Sequence, residues 1–178
     1  DGPFWPSGEC TTLGRFGPPS GPLGGLICWE NSLPTARYHM YRQGVRIYTA
    51  ATWDSGEVWL STLRHIAKEG GMFVIGCCMA LRMSDLPDDL EFKSMYPADT
   101  DWINPGKSCI VGPSGQILAG PLEHQPAPQG EVLPSPTPHD RAILYADLDL
   151  GLVPAMKWML DTAGHYDRPD VFELIVHE

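Results

Sequence analysis

The stretch that decides the fold reads Leu23-Gly24-Gly25-Leu26-Ile27-Cys28-Trp29-Glu30-Asn31-Ser32-Leu33-Pro34. Its first half is a short apolar run, the signature of a buried strand. Its second half is turn chemistry, with Pro34 suited to the first position of a helix and Ser32 a candidate cap. A cysteine therefore sits where a strand gives way to a tight turn and a helix. In that setting a nucleophile is presented at the edge of a sheet. The first N–H groups of the following helix, and its dipole, are expected to point toward the same place and favour negative charge there. Gly24 and Gly25 permit close backbone approach just before the thiol. The plainer reading of such a cysteine is a small buried hydrophobe.

Working outward, the helix from Pro34 runs to about Gln43, and Gly44 is a suitable stop. Residues 45–50 read as a strand. Residues 56–69 read as a second helix, with Val58, Leu63, Ile66 and Ala67 on one stripe and Gly70-Gly71 ending it. Residues 72–79 are apolar throughout and read as a buried, central strand. Strand, helix, strand, helix, strand is the order of an α/β layered fold. Residues 83–107 carry six acids and read as a long surface excursion. Residues 108–111 and 116–119, around Pro113-Ser114-Gly115, read as a hairpin. Residues 1–22 form a Pro/Gly-rich loop, and residues 121–140, with six prolines, an extended linker or arm. Residues 141–150 read as a strand, 153–160 as a short helix and 171–176 as a last strand. The whole, residues 1–178, is expected to be one domain.

Composition narrows the function classes. The chain has 178 residues, 43% hydrophobic and 19% charged, which suits a globular core and excludes a disordered chain. The net charge is −10, with 12 basic residues, so a nucleic-acid partner is not expected. No apolar run approaches the ~20 residues that cross a bilayer, and the first residues lack the pattern of a signal peptide. Five cysteines form an odd set, with Cys77 and Cys78 adjacent, so a reducing, cytoplasmic setting is the simpler expectation. Cys77, Cys78 and Cys109 sit in apolar strands as core residues. They lack CxxC spacing, and no metal site or cofactor is expected. His65 reads as a structural histidine, and Arg64 as facing an acid across the sheet or an interface.

The segment Gly24-Gly25-Leu26-Ile27-Cys28-Trp29-Glu30-Asn31, with Pro34 and Arg37, closely resembles the nucleophile motif of nitrilases in the carbon–nitrogen hydrolase superfamily. Further matches follow at Tyr41-Arg42-Gln43-Gly44, Trp59, residues 64–70, Trp102-Ile103-Asn104, residues 108–111, Ala119-Gly120-Pro121, residues 146–149, and Gly164-His165-Tyr166 with residues 168–172. The resemblance covers roughly residues 21–178. Residues 3–20 fit it poorly, and Gly112 stands where the family usually has an acid.

The resemblance implies part of an αββα sandwich without its upstream strands and helices. It implies a Glu–Lys–Cys triad with a second Glu, of which this chain supplies Cys28. The general-base Glu, the Lys and the second Glu lie upstream of the family's motif. Upstream of Cys28 this chain has Asp1 and Glu9 as acids and no Lys. Trp29 would give the backbone N–H that holds the developing anion. Glu30 and Asn31 would support the turn, Glu30 by capping it or bonding neighbouring backbone. The implied reaction converts a nitrile to a carboxylic acid and ammonia through a Cys28 thioimidate and thioester. Alternatives are an amidase of the same superfamily, and a catalytically incomplete fragment that acts only with its missing N-terminal part. The family's habits also imply homo-oligomers, as dimers or spirals.

Overall fold

In a computed structural model the described residues are 21–123 and 143–176. The expected loop at 1–22 and arm at 121–140 therefore fall almost entirely outside them. No helix among the described residues is long and apolar enough to cross a membrane.

Three parallel strands begin the fold. They are β1 (Leu23–Ile27), β2 (Ile47–Thr52) and β3 (Phe73–Cys78). Helix α1 (Pro34–Arg42) connects the first two and α2 (Glu57–Gly70) the next two. β2 lies between β1 and β3, and β3 in turn pairs antiparallel with β5 (Trp102–Val111). The short β4 (Ala80–Arg82) pairs with the first half of β5, and β6 (Ile117–Glu123) with its opposite edge. A last helix, α3, spans Leu152–Met159.

Period-2 alternation decides which side of the sheet is covered. Tyr48, Ala50, Val74, Cys109 and Val111 are buried on the side that meets Met40 and Tyr41 of α1 and Trp59, Leu60, Leu63, Ile66 and Ala67 of α2. Thr49, Ala51 and Cys77 alternate with them on β2 and β3 and are exposed. The described residues thus form one sheet with α1 and α2 on one face and the other face open around these positions.

Local sequence explains the boundaries. α2 ends at Gly71, whose φ of +57° closes the helix in the left-handed form that glycine adopts freely. Gly25 is required for a different reason. A Cβ there would lie 2.2 Å from the Thr49 carbonyl oxygen, so the close approach of β1 to β2 depends on its absence. Arg64, at the outer side of α2, donates from Nε to the Gly115 carbonyl at 2.9 Å. It pins the β5–β6 turn instead of meeting an acid.

Several sequence expectations need correction. Ser32 does not cap α1. A 3-10 turn over Cys28–Ser32 runs directly into the helix, and Leu33 is the junction, without a side-chain cap. β2 starts two residues late, at Ile47, with Val45 buried in the core just ahead of it. The surface excursion ends at Asp101. Residues 102–107 are strand, paired with β4 and β6. Residues 143–149 and 172–176 are irregular, not strands, since hydrophobic alternation alone does not supply a pairing partner. Cys77 is exposed where a core position was expected, because it falls on the open side of β3.

Candidate active site

Cys28 follows the last residue of β1 and opens the 3-10 turn. Its φ is +50°, a left-handed conformation that a non-glycine residue holds only when its surroundings enforce it, at a cost of about 1–3 kcal/mol. The surroundings are specific. Asn31 is fully buried. Its Nδ2 donates to the Cys28 carbonyl at 2.8 Å and to the Leu26 carbonyl at 3.0 Å. Its Oδ1 accepts from the Tyr48 hydroxyl at 2.7 Å. One amide therefore ties together the strand end, the nucleophile candidate and the neighbouring strand.

A second set of bonds holds the turn from the helix side. Arg37 Nη1 donates to the Asn31 carbonyl at 2.8 Å. Its Nε donates to Glu69 Oε2 at 3.0 Å, and the Tyr41 hydroxyl donates to the same oxygen at 2.6 Å. His65 Nε2 lies 3.5 Å from Glu69 Oε1, with its ring mostly exposed. Burial works against the charge on Glu69, but the bonds from Arg37 and Tyr41 outweigh it and hold the carboxyl below the usual carboxylate range. Burial and the same carboxylate push the Tyr41 phenol up.

Glu30 turns back on its own segment, where Oε2 accepts the Ile27 N–H at 2.8 Å. Trp29 is three-quarters exposed and lines the same cleft as Cys28. That cleft, about 440 Å³, is completed by Trp53, Asp54, Ser55, Ile103 and Asn104. The sequence-predicted residues thus divide into two groups. Cys28 and Trp29 line the cleft, while the exposed Glu30 and the buried Asn31 bond backbone of the turn and the strand before it.

The remaining walls come from the carboxyl end of β2 and from β5. Thr52 is the last residue of β2, and its hydroxyl donates to Cys28 Sγ at 3.7 Å. The Asp54 N–H donates to the Thr52 hydroxyl at 3.0 Å. Asp54 Oδ1 accepts the Gly56 N–H at 2.7 Å and so closes the approach to α2. Asn104, buried in β5, donates from Nδ2 to the Trp53 carbonyl and accepts the Gly106 N–H at 3.0 Å. Cys78 Sγ lies 3.6 Å from the same Trp53 carbonyl. Burial pushes the Cys78 thiol up to about 11 and that of Cys109 likewise to about 11, so both are neutral at physiological pH.

Sequence reading did not single out Thr52, Trp53, Asp54 or Tyr48. A usable signal existed for the first three. In parallel sheets ligands gather at the carboxyl ends of adjacent strands, and these residues follow the strand beside Cys28. Asn104 had its own signal, an amide directly after the apolar pair Trp102-Ile103.

The described residues thus place a strained cysteine at a strand–helix turn, beside a cleft at the carboxyl ends of parallel strands of an α/β fold. The comparisons with known proteins give the family. Residues 3–157 match the model of the carbon-nitrogen hydrolase family, and the chain belongs to that family. The match takes in the N-terminal residues that fitted the motif reading poorly. A nitrilase of Bradyrhizobium diazoefficiens is 41% identical over 175 residues, 98% of this chain and 50% of the relative. A bifunctional nitrilase/nitrile hydratase of Lupinus angustifolius is 38% identical over 181 residues, 98% of this chain and 47% of the relative. The chain thus spans about half the length of the curated relatives it matches. The crystal structure of a carbon-nitrogen hydrolase from Helicobacter pylori G27 shares the fold, with a TM-score of 0.58 at 22% identity, over 85% of this chain and 48% of that one.

Proposed function

We propose that this chain carries the nucleophile of a thiol hydrolase that cleaves a nitrile carbon–nitrogen bond. The observation that supports this most is Cys28 itself, held at φ +50° and opening onto the cleft. Sulfur bonds to the nitrile carbon, one carbon–nitrogen π pair moves to nitrogen, and nitrogen takes a proton. A thioimidate results. Water then adds to the carbon, and ammonia leaves with the carbon–nitrogen electron pair, giving a thioester. A second water attacks, the carbon–sulfur bond breaks, and the carboxylic acid and the thiolate are released. Each step moves a proton and needs a positioned carboxylate. The backbone N–H of Trp29 is proposed as the donor to the developing anion.

Within this reading Glu30 and Asn31 support the turn. Asp54 is the acid among the cleft-lining residues, and its Oδ1 is already engaged by the Gly56 N–H. The reading therefore assigns the family's general-base Glu and its Lys to sequence upstream of the nucleophile motif, where this chain itself has no Lys. The 1–178 segment is taken as one unit of the carbon–nitrogen hydrolase domain, active in a homo-oligomer. The walls formed by Trp29, Trp53 and Ile103 suit an uncharged aromatic or aliphatic nitrile.

The test is ammonia release by the full-length protein from a panel of aromatic and aliphatic nitriles, with a Cys28→Ala control. Acid and amide products are quantified together, since one relative is named both nitrilase and nitrile hydratase. Loss of product with Cys28→Ala is the expected result, by a factor of at least about 10³. Undiminished ammonia release by that variant sinks the reading.

A further inference from the structure

We infer that Thr52 is a further catalytic residue of this site, its hydroxyl acting as the direct hydrogen-bond donor that stabilises the Cys28 thiolate. The inference rests on the reading of Cys28 as the nucleophile.

Strand register brings the two residues together. β1 and β2 are parallel, with Leu26 beside Ala50 and Ile27 beside Ala51. The next step along both chains sets Cys28 beside Thr52, the last residue of β2. Cys28 then turns into its left-handed conformation, and its sulfur lies 3.7 Å from Thr52 Oγ1. A hydroxyl has one hydrogen to give and can accept as well. Here the Asp54 N–H, at 3.0 Å, occupies an acceptor site and turns the hydroxyl so that its hydrogen goes to sulfur.

The arrangement is firm at both ends. Thr52 is β-branched and half-buried, so its χ1 has little freedom. The loop that supplies the Asp54 N–H is pinned by the Asn104 side chain on the Trp53 carbonyl. A donor fixed before the reaction stabilises the anionic sulfur more than the neutral thiol, and does so without reorganisation. When sulfur is alkylated or acylated its negative charge disappears, and the bond weakens with it. The contribution therefore falls on the thiolate and on its return as a leaving group.

Among the described residues, few other ionisable groups lie around the sulfur. Asp54 lines the cleft from the β2–α2 loop, and Glu30 lies on the turn with its carboxylate on the Ile27 N–H. β3 presents Cys78, and β5 presents the neutral Ile103 and Asn104. Thr52→Val also removes the acceptor of the Asp54 N–H, so the comparison with Thr52→Ser, which keeps a hydroxyl in place, assigns an altered pH profile to the donor.

The experiment measures the rate of Cys28 alkylation by iodoacetamide against pH in the full-length protein, with the modified peptide identified by mass spectrometry. Sulfur displaces iodide, which leaves with the carbon–iodine pair. Thr52→Val keeps the side-chain shape and removes the donor. Thr52→Ser keeps the donor. The expected result is a midpoint raised by about one pH unit in Thr52→Val, with kcat/KM for nitrile hydrolysis down about tenfold at neutral pH and KM little changed. Thr52→Ser stays near the wild type in both. Should Thr52→Val fold poorly, Thr52→Ala is smaller than the native residue and gives the same readout. A midpoint that does not move in Thr52→Val or Thr52→Ala overturns the inference, because a purely structural threonine would change yield and not titration. The nucleophile reading fails separately, if Cys28→Ala still hydrolyses nitriles.

Discussion

Asn31 shows how much of the site one side chain can organise. Its four polar connections reach Leu26, Cys28, Tyr48 and, through its carbonyl, Arg37. Replacing it with Leu would keep approximate volume and leave the Cys28 carbonyl and the Tyr48 hydroxyl without this partner in a buried setting. A loss of about 2–3 kcal/mol is expected in chemical denaturation, together with slower Cys28 alkylation. The four described cysteines should also separate chemically. Cys78 and Cys109 are buried and neutral, while Cys28 and Cys77 reach solvent. Brief treatment of the native protein with iodoacetamide at neutral pH should label Cys28 and Cys77 and spare the other two, as peptide mapping would show. At this scale the sequence was half legible. Cys28 stood out because a polar turn follows an apolar strand. Asn31 read as turn chemistry, but nothing local disclosed Tyr48, seventeen positions away, because that contact exists only through strand pairing.

Elements were more legible than contacts, for a physical reason. α1, α2 and β1 through β3 carry their own boundary signals in Pro34, Gly44, Gly71 and an unbroken apolar run. β5 did not, because its first half, Trp102 to Lys107, includes Asn104, Pro105 and Gly106, which are poor strand formers. Pairing with β4 and β6 overrides that preference. The expected strands at 141–150 and 171–176 failed in the opposite way, with suitable alternation and no neighbour to bond. The β1–β2 pair yields a sharp prediction. In Gly25→Ala the new methyl would meet the Thr49 backbone, forcing the strands apart beside Cys28. Thermal melts should show a fall of several degrees or failure to fold, whereas Gly44→Ala, with open space around its Cβ but a φ of +73°, should cost only the left-handed strain of about 1–2 kcal/mol.

Across the whole molecule, Glu69 couples the two helices that cover the sheet. Its bonds to Arg37 and Tyr41 join α2 to α1, and Thr162 donates to its carbonyl at 3.0 Å from beyond α3. The folded carboxyl titrates below its ordinary value of 4.5. Stability from this ionisation is therefore present above about pH 4.5 and lost as pH falls through the depressed folded value. Glu69→Gln should flatten the acid limb of a stability–pH curve measured by urea unfolding, and lower stability at neutral pH. The open side of the sheet, where Thr49, Ala51 and Cys77 emerge, accords with a chain half as long as its relatives. Its layered α/β character was visible in the order of elements, but the uncovered face was visible only as an expectation from family resemblance.

The cleft's walls come from three places in the chain. Thr52 follows Cys28 by 24 positions, and Asn104 follows Trp53 by 51. No short segment can assemble them, so the sulfur acquires its neighbours only when β1, β2 and β5 have closed into one sheet, a late event for pairings of such long range. Thiol reactivity at Cys28 is consequently a clock. In a refolding time course, its approach to the native alkylation rate should lag behind the return of helical signal and mark the moment at which the strands lock.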